Sequence, residues 1–175
     1  MPSNSQKCRP GRNGFTLIET AIATMIMLVG LVAVAQLVAT SIFLNTANRD
    51  DSTEMVLAQN ELNQFVGQPL SSFSYTDFIG NVCTLGNSGT TGSFVGSPTA
   101  TSNDNRQVIN FSQAAVAGYS FTWADPNDPS GASYDVRWAV YTFASGSGKR
   151  FIVGVRKLGG NVPFYPVNLD TMVQK

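Results

Sequence analysis

A chain of 175 residues, 43% apolar and 13% charged, is long enough for one domain around one core, and its composition excludes a disordered protein. Eleven basic and eleven acidic residues balance, and beyond the N-terminus the basic clusters are only Lys149-Arg150 and Arg156-Lys157, so no nucleic-acid partner is expected. The absence of histidine removes His-dependent triads and His-containing zinc sites, and no phosphate-binding glycine loop appears, so neither an enzyme nor a cofactor is expected.

Met1 to Gly14 is polar and basic, carrying Lys7, Arg9 and Arg12 but no acid. It lacks the apolar core and small-residue cleavage site of an ordinary secretory signal. The apolar stretch instead follows it: Phe15 opens a long run whose only charge before Arg49 is Glu19. A carboxylate in an otherwise uncharged membrane-length helix is expensive and marks a functional position. A plain N-terminal anchor, cytoplasmic at its basic end, accounts for the three cations equally well but gives Glu19 no task.

The hexapeptide Gly14-Phe15-Thr16-Leu17-Ile18-Glu19, with its basic lead-in, resembles the prepilin signature of type IV pilins and of type II secretion pseudopilins. The resemblance implies that a membrane prepilin peptidase cuts between Gly14 and Phe15 and methylates the new amino group of Phe15. It implies a cleaved leader over 1–14, a transmembrane and filament-core segment over 15–44, and an exported head over 45–175. The partners it implies are other pilins or pseudopilins in a helical filament and an inner-membrane assembly platform. Before assembly the subunit would span the inner membrane once, N-terminus cytoplasmic; afterwards it would sit in a pilus, in the periplasm or at the cell surface. Cleavage would give Phe15 a positive α-amino group at the depth of Glu19. That charge, or the one on an axially offset neighbour, can neutralise the carboxylate and so set the register of assembly.

From Phe15 to Thr40 the residues suffice to cross a bilayer, which takes about 20 apolar residues. Gly30 falls mid-helix, where glycine costs up to about 1 kcal/mol relative to alanine. It reads either as close helix packing or as a point of flexibility when subunits leave the bilayer. Gln36, Thr40, Ser41 and Asn45 then introduce polarity, and the helix is expected to continue to about Val66, where Gly67 and Pro69 stop it. Met55, Ala58, Leu62 and Phe65 fall at helical spacing, widened by Val56 and Leu57, and form the expected core stripe. Asp50, Asp51, Glu54 and Glu61 fall mostly off it, with Asp50-Asp51 read as solvated surface. The segment Ala58-Gln59-Asn60-Glu61-Leu62 resembles V-type minor pilins and I-type minor pseudopilins.

Leu70 to Asn105 reads as the least ordered stretch, with a long surface loop from Gly86 and an irregular strand near Phe94-Val95. Gln107 to Phe111, Tyr119 to Trp123, Tyr134 to Phe143 and Arg150 to Leu158 read as strands, the last two joined as a hairpin through Ala144 to Lys149. Tyr134, Val136, Trp138 and Val140 share one face, opposite Asp135 and Arg137. The tail from Val162 to Val173 contains Pro163 and Pro166 and is at best an edge strand. The expected architecture is α+β, the pilin arrangement of a long N-terminal helix laid on an antiparallel sheet.

Three smaller features complete the reading. Cys8 lies in the leader, leaving Cys83, in a Gly/Ser/Thr loop, as an inert thiol or, as the lesser alternative, an intermolecular bridge. Many pilins close the C-terminal region with a disulfide; this chain must use strand pairing and packing instead. Asp125 and Asp128 occupy an oxygen-rich turn, but calcium-loop spacing is absent and Pro126 and Gly131 already explain a turn. The aromatic residues of the strands are expected in the core rather than in any electron path.

Overall fold

The computed structural model describes residues 14–77, 79–124, 126, 131–144, 146–159 and 165–174. A single helix, α1, runs over 50 residues from Leu17 to Val66. The chain divides into two compact units between Thr46 and Ala47. In the first unit the hydroxyls of Thr20, Thr24 and Thr40 donate to the carbonyls of Leu17, Ala21 and Gln36, each at 2.9 Å. Polar side chains in this apolar stretch therefore satisfy themselves on their own helix. At the other end Pro69 has no N–H to continue the ladder, and Gly67 N donates to Asn63 O at 3.1 Å as the last helical bond.

The second unit is built on antiparallel strands. Its main sheet has five: β3 (Phe94–Gly96), β6 (Ser120–Ala124), β7 (Ser133–Thr142), β8 (Gly148–Leu158) and β9 (Val167–Gln174). Their order is β3-β7-β8-β9, with β6 beside the first half of β7 and β3 beside its second half. Two short hairpins flank it, β1 (Ser74–Thr76) with β2 (Val82–Thr84) and β4 (Thr99–Thr101) with β5 (Gln107–Ile109). The stretch expected to be least ordered, Leu70 to Asn105, thus carries four short strands, each of three residues, with β3 where an irregular strand was expected near Phe94-Val95. Runs that short show no measurable alternation in the sequence.

The period-two reading of β7 holds on one face. Tyr134, Val136, Trp138 and Val140 are buried with Phe151, Val153 and Val155 of β8 and with Leu57, Ala58 and Phe65 of α1. The other face is not open to water as the alternation implied. Ala139 and Ile152 lie beneath Ile109, with Phe94 and Phe111 packed on them. On this face Arg137 meets Asp135 at 2.8 Å and donates to Gln113 O at 2.7 Å. Its guanidinium lies 5.1 Å from the Phe111 ring centre and that of Arg156 lies 4.8 Å from it. The covering hairpin can approach because residue 154 is glycine: a Cβ there would stand 2.8 Å from Ile109 Cβ.

The helix stripe is rotated from the expected one. The buried residues are Asp50, Glu54, Leu57, Ala58, Glu61 and Phe65, a spacing as regular as the apolar pattern but partly acidic. Met55 and Val56 face outward, and Leu62 is only half-buried. Asp50 was expected on solvated surface and is instead fully buried; Asp51 is exposed. The cause lies across the fold: Lys157 Nζ reaches Asp50 Oδ2 at 2.6 Å, and the Lys157 backbone N–H donates to Glu54 Oε1 at 2.8 Å. Burial pushes the Glu54 carboxyl above its ordinary range, opposed by the backbone N–H groups of Lys157 and Val167. The tail is an edge strand as expected, and β9 pairs with β8 from Val167↔Val155 to Gln174↔Gly148.

Phe65 is the central contact, with ring centres 5.3 Å from Trp138, 5.6 Å from Phe151 and 5.9 Å from Tyr75. Phe65→Ala is expected to cost about 3–5 kcal/mol, and Val56→Ala less than about 0.5 kcal/mol. Denaturant unfolding of the full chain in detergent, followed by tryptophan fluorescence, compares the two; equal losses would contradict the rotated stripe.

Candidate functional site at the start of the helix

The helix begins with a cap. Thr16 O accepts the N–H of Glu19 at 3.0 Å and of Thr20 at 3.2 Å, and Thr16 Oγ1 lies 3.3 Å from Glu19 N. Thr16 is therefore the N-cap and Glu19 the third helical residue, the spacing of a capping box. The pattern Thr-x-x-Glu stood in the sequence, and a search for capping boxes would have found it. It gives Glu19 a local role, since an acid in the first turn stabilises the positive end of the helix dipole.

The same cap leaves Gly14 and Phe15 outside the helix. The helix starts at Leu17, so the four-residue helical relation between Phe15 and Glu19 does not hold in this form of the chain. The Gly14–Phe15 peptide is exposed, with Phe15 80% accessible. A Cβ on Gly14 would meet no atom within 4 Å. Among the described residues nothing demands glycine there. Glu19 is exposed and has no ion-pair partner among the described residues. Lys7, Cys8, Arg9 and Arg12 lie outside the described residues, as do Asp125 and Asp128 of the oxygen-rich turn.

Beyond the cap, the large side chains from Leu17 through Leu44 are exposed in bulk. An 18-residue window of α1 reaches a mean hydropathy of 2.4 with none of it buried. A fully exposed apolar surface of this length needs lipid or other subunits to cover it. Gly30 lies within it, its would-be Cβ free of neighbours to 4 Å. Among the described residues nothing packs at Gly30, and the helix runs through it unbroken.

The family model for the prokaryotic N-terminal methylation motif matches residues 9–35. The chain carries the type IV pilin and pseudopilin signature. The motif implies processing by a prepilin peptidase and assembly with other pilins, and motif and apolar helix together fit a membrane-anchored pilin. No curated protein and no solved structure matches the chain. The pilin signature ends within the first compact unit, so the head is read from its own residues.

One head residue changes its setting. Cys83 was expected in a loop and instead sits in β2, fully buried. Burial, then the nearby carboxylates of Glu61 and Asp77, push its thiol up to about 12. A thiol so held stays protonated, and is a poor nucleophile, unless a cation binds beside it.

Gly30→Ala introduces no clash and removes a helix penalty of about 1 kcal/mol. The expected outcome is slower amide hydrogen exchange around residue 30 for the full chain in micelles. Unchanged exchange there would show that Gly30 is not a weak point of the helix.

Proposed function

We propose that the chain is a minor pilin, a non-enzymatic subunit of a type IV pilus filament that primes assembly or sits at the tip. The observation that carries this reading is the exposed apolar half of α1 with Glu19 as its sole charge. In a bilayer an unpaired carboxylate costs several kcal/mol or takes up a proton. Cleavage after Gly14 creates its partner, the amino group of Phe15, which the same peptidase then methylates. In a filament the Glu19 of one subunit pairs with the Phe15 terminus of a neighbour, and docking removes both charges from lipid. Gly30 serves as the point where the helix loosens as the subunit moves from membrane to filament.

The inner-membrane assembly platform is the partner that would extract the subunit, whose N-terminus is cytoplasmic before assembly. A head closed by strand pairing rather than by a disulfide, with its single cysteine buried in β2, supports a minor subunit over a major one. The alternative, a type II secretion minor pseudopilin, uses the same parts. The resemblance of Ala58-Gln59-Asn60-Glu61-Leu62 to I-type members supports it.

Mass spectrometry of the mature protein is expected to find N-methyl-Phe15 as its first residue; a chain still beginning at Met1 would point to an anchored periplasmic binding module instead. Glu19→Val is expected to be cleaved normally and to be lost from filaments, and its normal incorporation would refute the pairing role. Gly14→Leu is expected to block processing, read as retention of the leader on denaturing gels.

A further inference from the structure

Three ligating side chains from separate elements converge where α1 meets the β1–β2 hairpin. Glu61 comes from α1, Asp77 follows β1, and Cys83 lies in β2. One oxygen of each carboxylate and the Cys83 Sγ all lie within 4.8 Å of one another. The three residues are 2%, 6% and 0% exposed.

Their hydrogen bonding is uneven. Asp77 is fixed: Oδ1 accepts the N–H of Ile79 at 2.9 Å and of Asn81 at 2.7 Å, and Oδ2 accepts Asn81 Nδ2 at 2.8 Å. Among the described residues Glu61 has Gln64 Nε2 and Tyr75 OH as donors, each at 3.4 Å, beyond the ordinary range of about 2.7–3.2 Å. The Cys83 thiol points at Asn81 O from 3.9 Å. The charges acting on Glu61 and Cys83 are all acidic, Asp77 on the first and Glu61 and Asp77 on the second. Two buried carboxylates with no cation beside them among the described residues call for a counter-charge, which a proton or a metal can supply.

We propose that Glu61, Asp77 and Cys83 form a binding site for a thiophilic divalent ion of the zinc class. The donor set decides the class. Zinc takes thiolate and carboxylate ligands in a tetrahedron with donors roughly 3.5 Å apart, so a small inward turn of Glu61 closes the site. Calcium and magnesium require six or more oxygen ligands or octahedral oxygen shells. Tyr75 OH or a water takes the fourth position. On binding, the Cys83 S–H bond breaks, its proton leaves to solvent, and the sulfur pair forms the metal bond. Glu61, held up to about 7 by burial and Asp77, likewise releases its proton where it carries one. The ion then staples the spine helix to the first hairpin, a structural role independent of the filament reading.

The test uses the full chain in detergent micelles, with Cys8→Ser to remove the second thiol, stripped by chelator and dialysed. Titration with Co²⁺ is expected to saturate at one ion per chain with a thiolate-to-cobalt charge-transfer band in the near ultraviolet. Zn²⁺ is expected to displace the cobalt and, when added instead to the stripped protein, to release protons and raise the melting temperature. Cys83→Ser should abolish the band, and Glu61→Gln should weaken Zn²⁺ binding by about 10-fold or more. Circular dichroism checks the fold of each; if Cys83→Ser does not fold, Glu61→Gln carries the comparison. No band at one equivalent, or Zn²⁺ affinity unchanged in Glu61→Gln, overturns the site.

Discussion

The head depends on the seating of one helix face against two strands. Ala58 is fully buried and too small to hold the helix away from the sheet, so Leu57 and Phe65 on either side can reach the β7–β8 core. Phe65 fills the space between Trp138 and Phe151. Its burial removes a large apolar surface from water, which is the dominant favourable contribution available to a domain of this size. The rest of that face is acidic, and its acids are held by opposite means. Asp50 and Glu54 meet Lys157, by ion pair and backbone N–H, whereas Glu61 meets only weak donors and a second carboxylate. One end of the contact is tied by Lys157, although Asp50 Oδ1 and Glu54 Oε2 stay buried without a hydrogen-bond partner among the described residues, and the other has no cation beside it among them.

At the far end of the same helix a different economy of charge operates. Thr16 caps the first turn and Glu19 stands in it, so the helix start is stabilised before any processing. A new cationic amine at Phe15 would sit against the positive end of the helix dipole, an unfavourable placement that an acid in the first turn offsets. Glu19 thus has a helix-starting role, to which the proposed function adds a charge-matching one, and a substitution there would disturb both. The two can be told apart because only the second depends on cleavage.

The fold was readable from the sequence wherever periodicity ran long enough. The end of α1 at Val66 followed from Gly67 and Pro69, and the β7–β8 hairpin from alternation around a Gly/Ser link. What was hidden depended on partners remote in sequence. The burial of Asp50 and Glu54 is decided by Lys157, roughly a hundred positions later, and nothing local to the helix marks them as interior. That Asp135 and Arg137 are covered was not visible, because Phe111 and Gln113, which meet Arg137, follow strands of only three residues. The N-terminal segment was the reverse case: its motif lies in contiguous sequence and needs no fold to be seen, whereas the cap at Thr16, which leaves Phe15 outside the helix, was overlooked. The convergence of Glu61, Asp77 and Cys83 required the fold, since spacings of sixteen and six residues match no metal motif.

The last strand leaves the main sheet with a free margin. β9 pairs with β8 along its whole length, and no described strand lies on its outer side. Its outward backbone groups form a row of donors and acceptors of the kind that recruits foreign strands. Asp170 stands midway along that row in an ion pair with Arg150 at 2.6 Å, with Asn168 and Gln174 near the two ends. A charge at the centre of an open margin makes addition of another apolar strand costly. Wherever such margins meet, that carboxylate is a guard against the wrong kind of polymer.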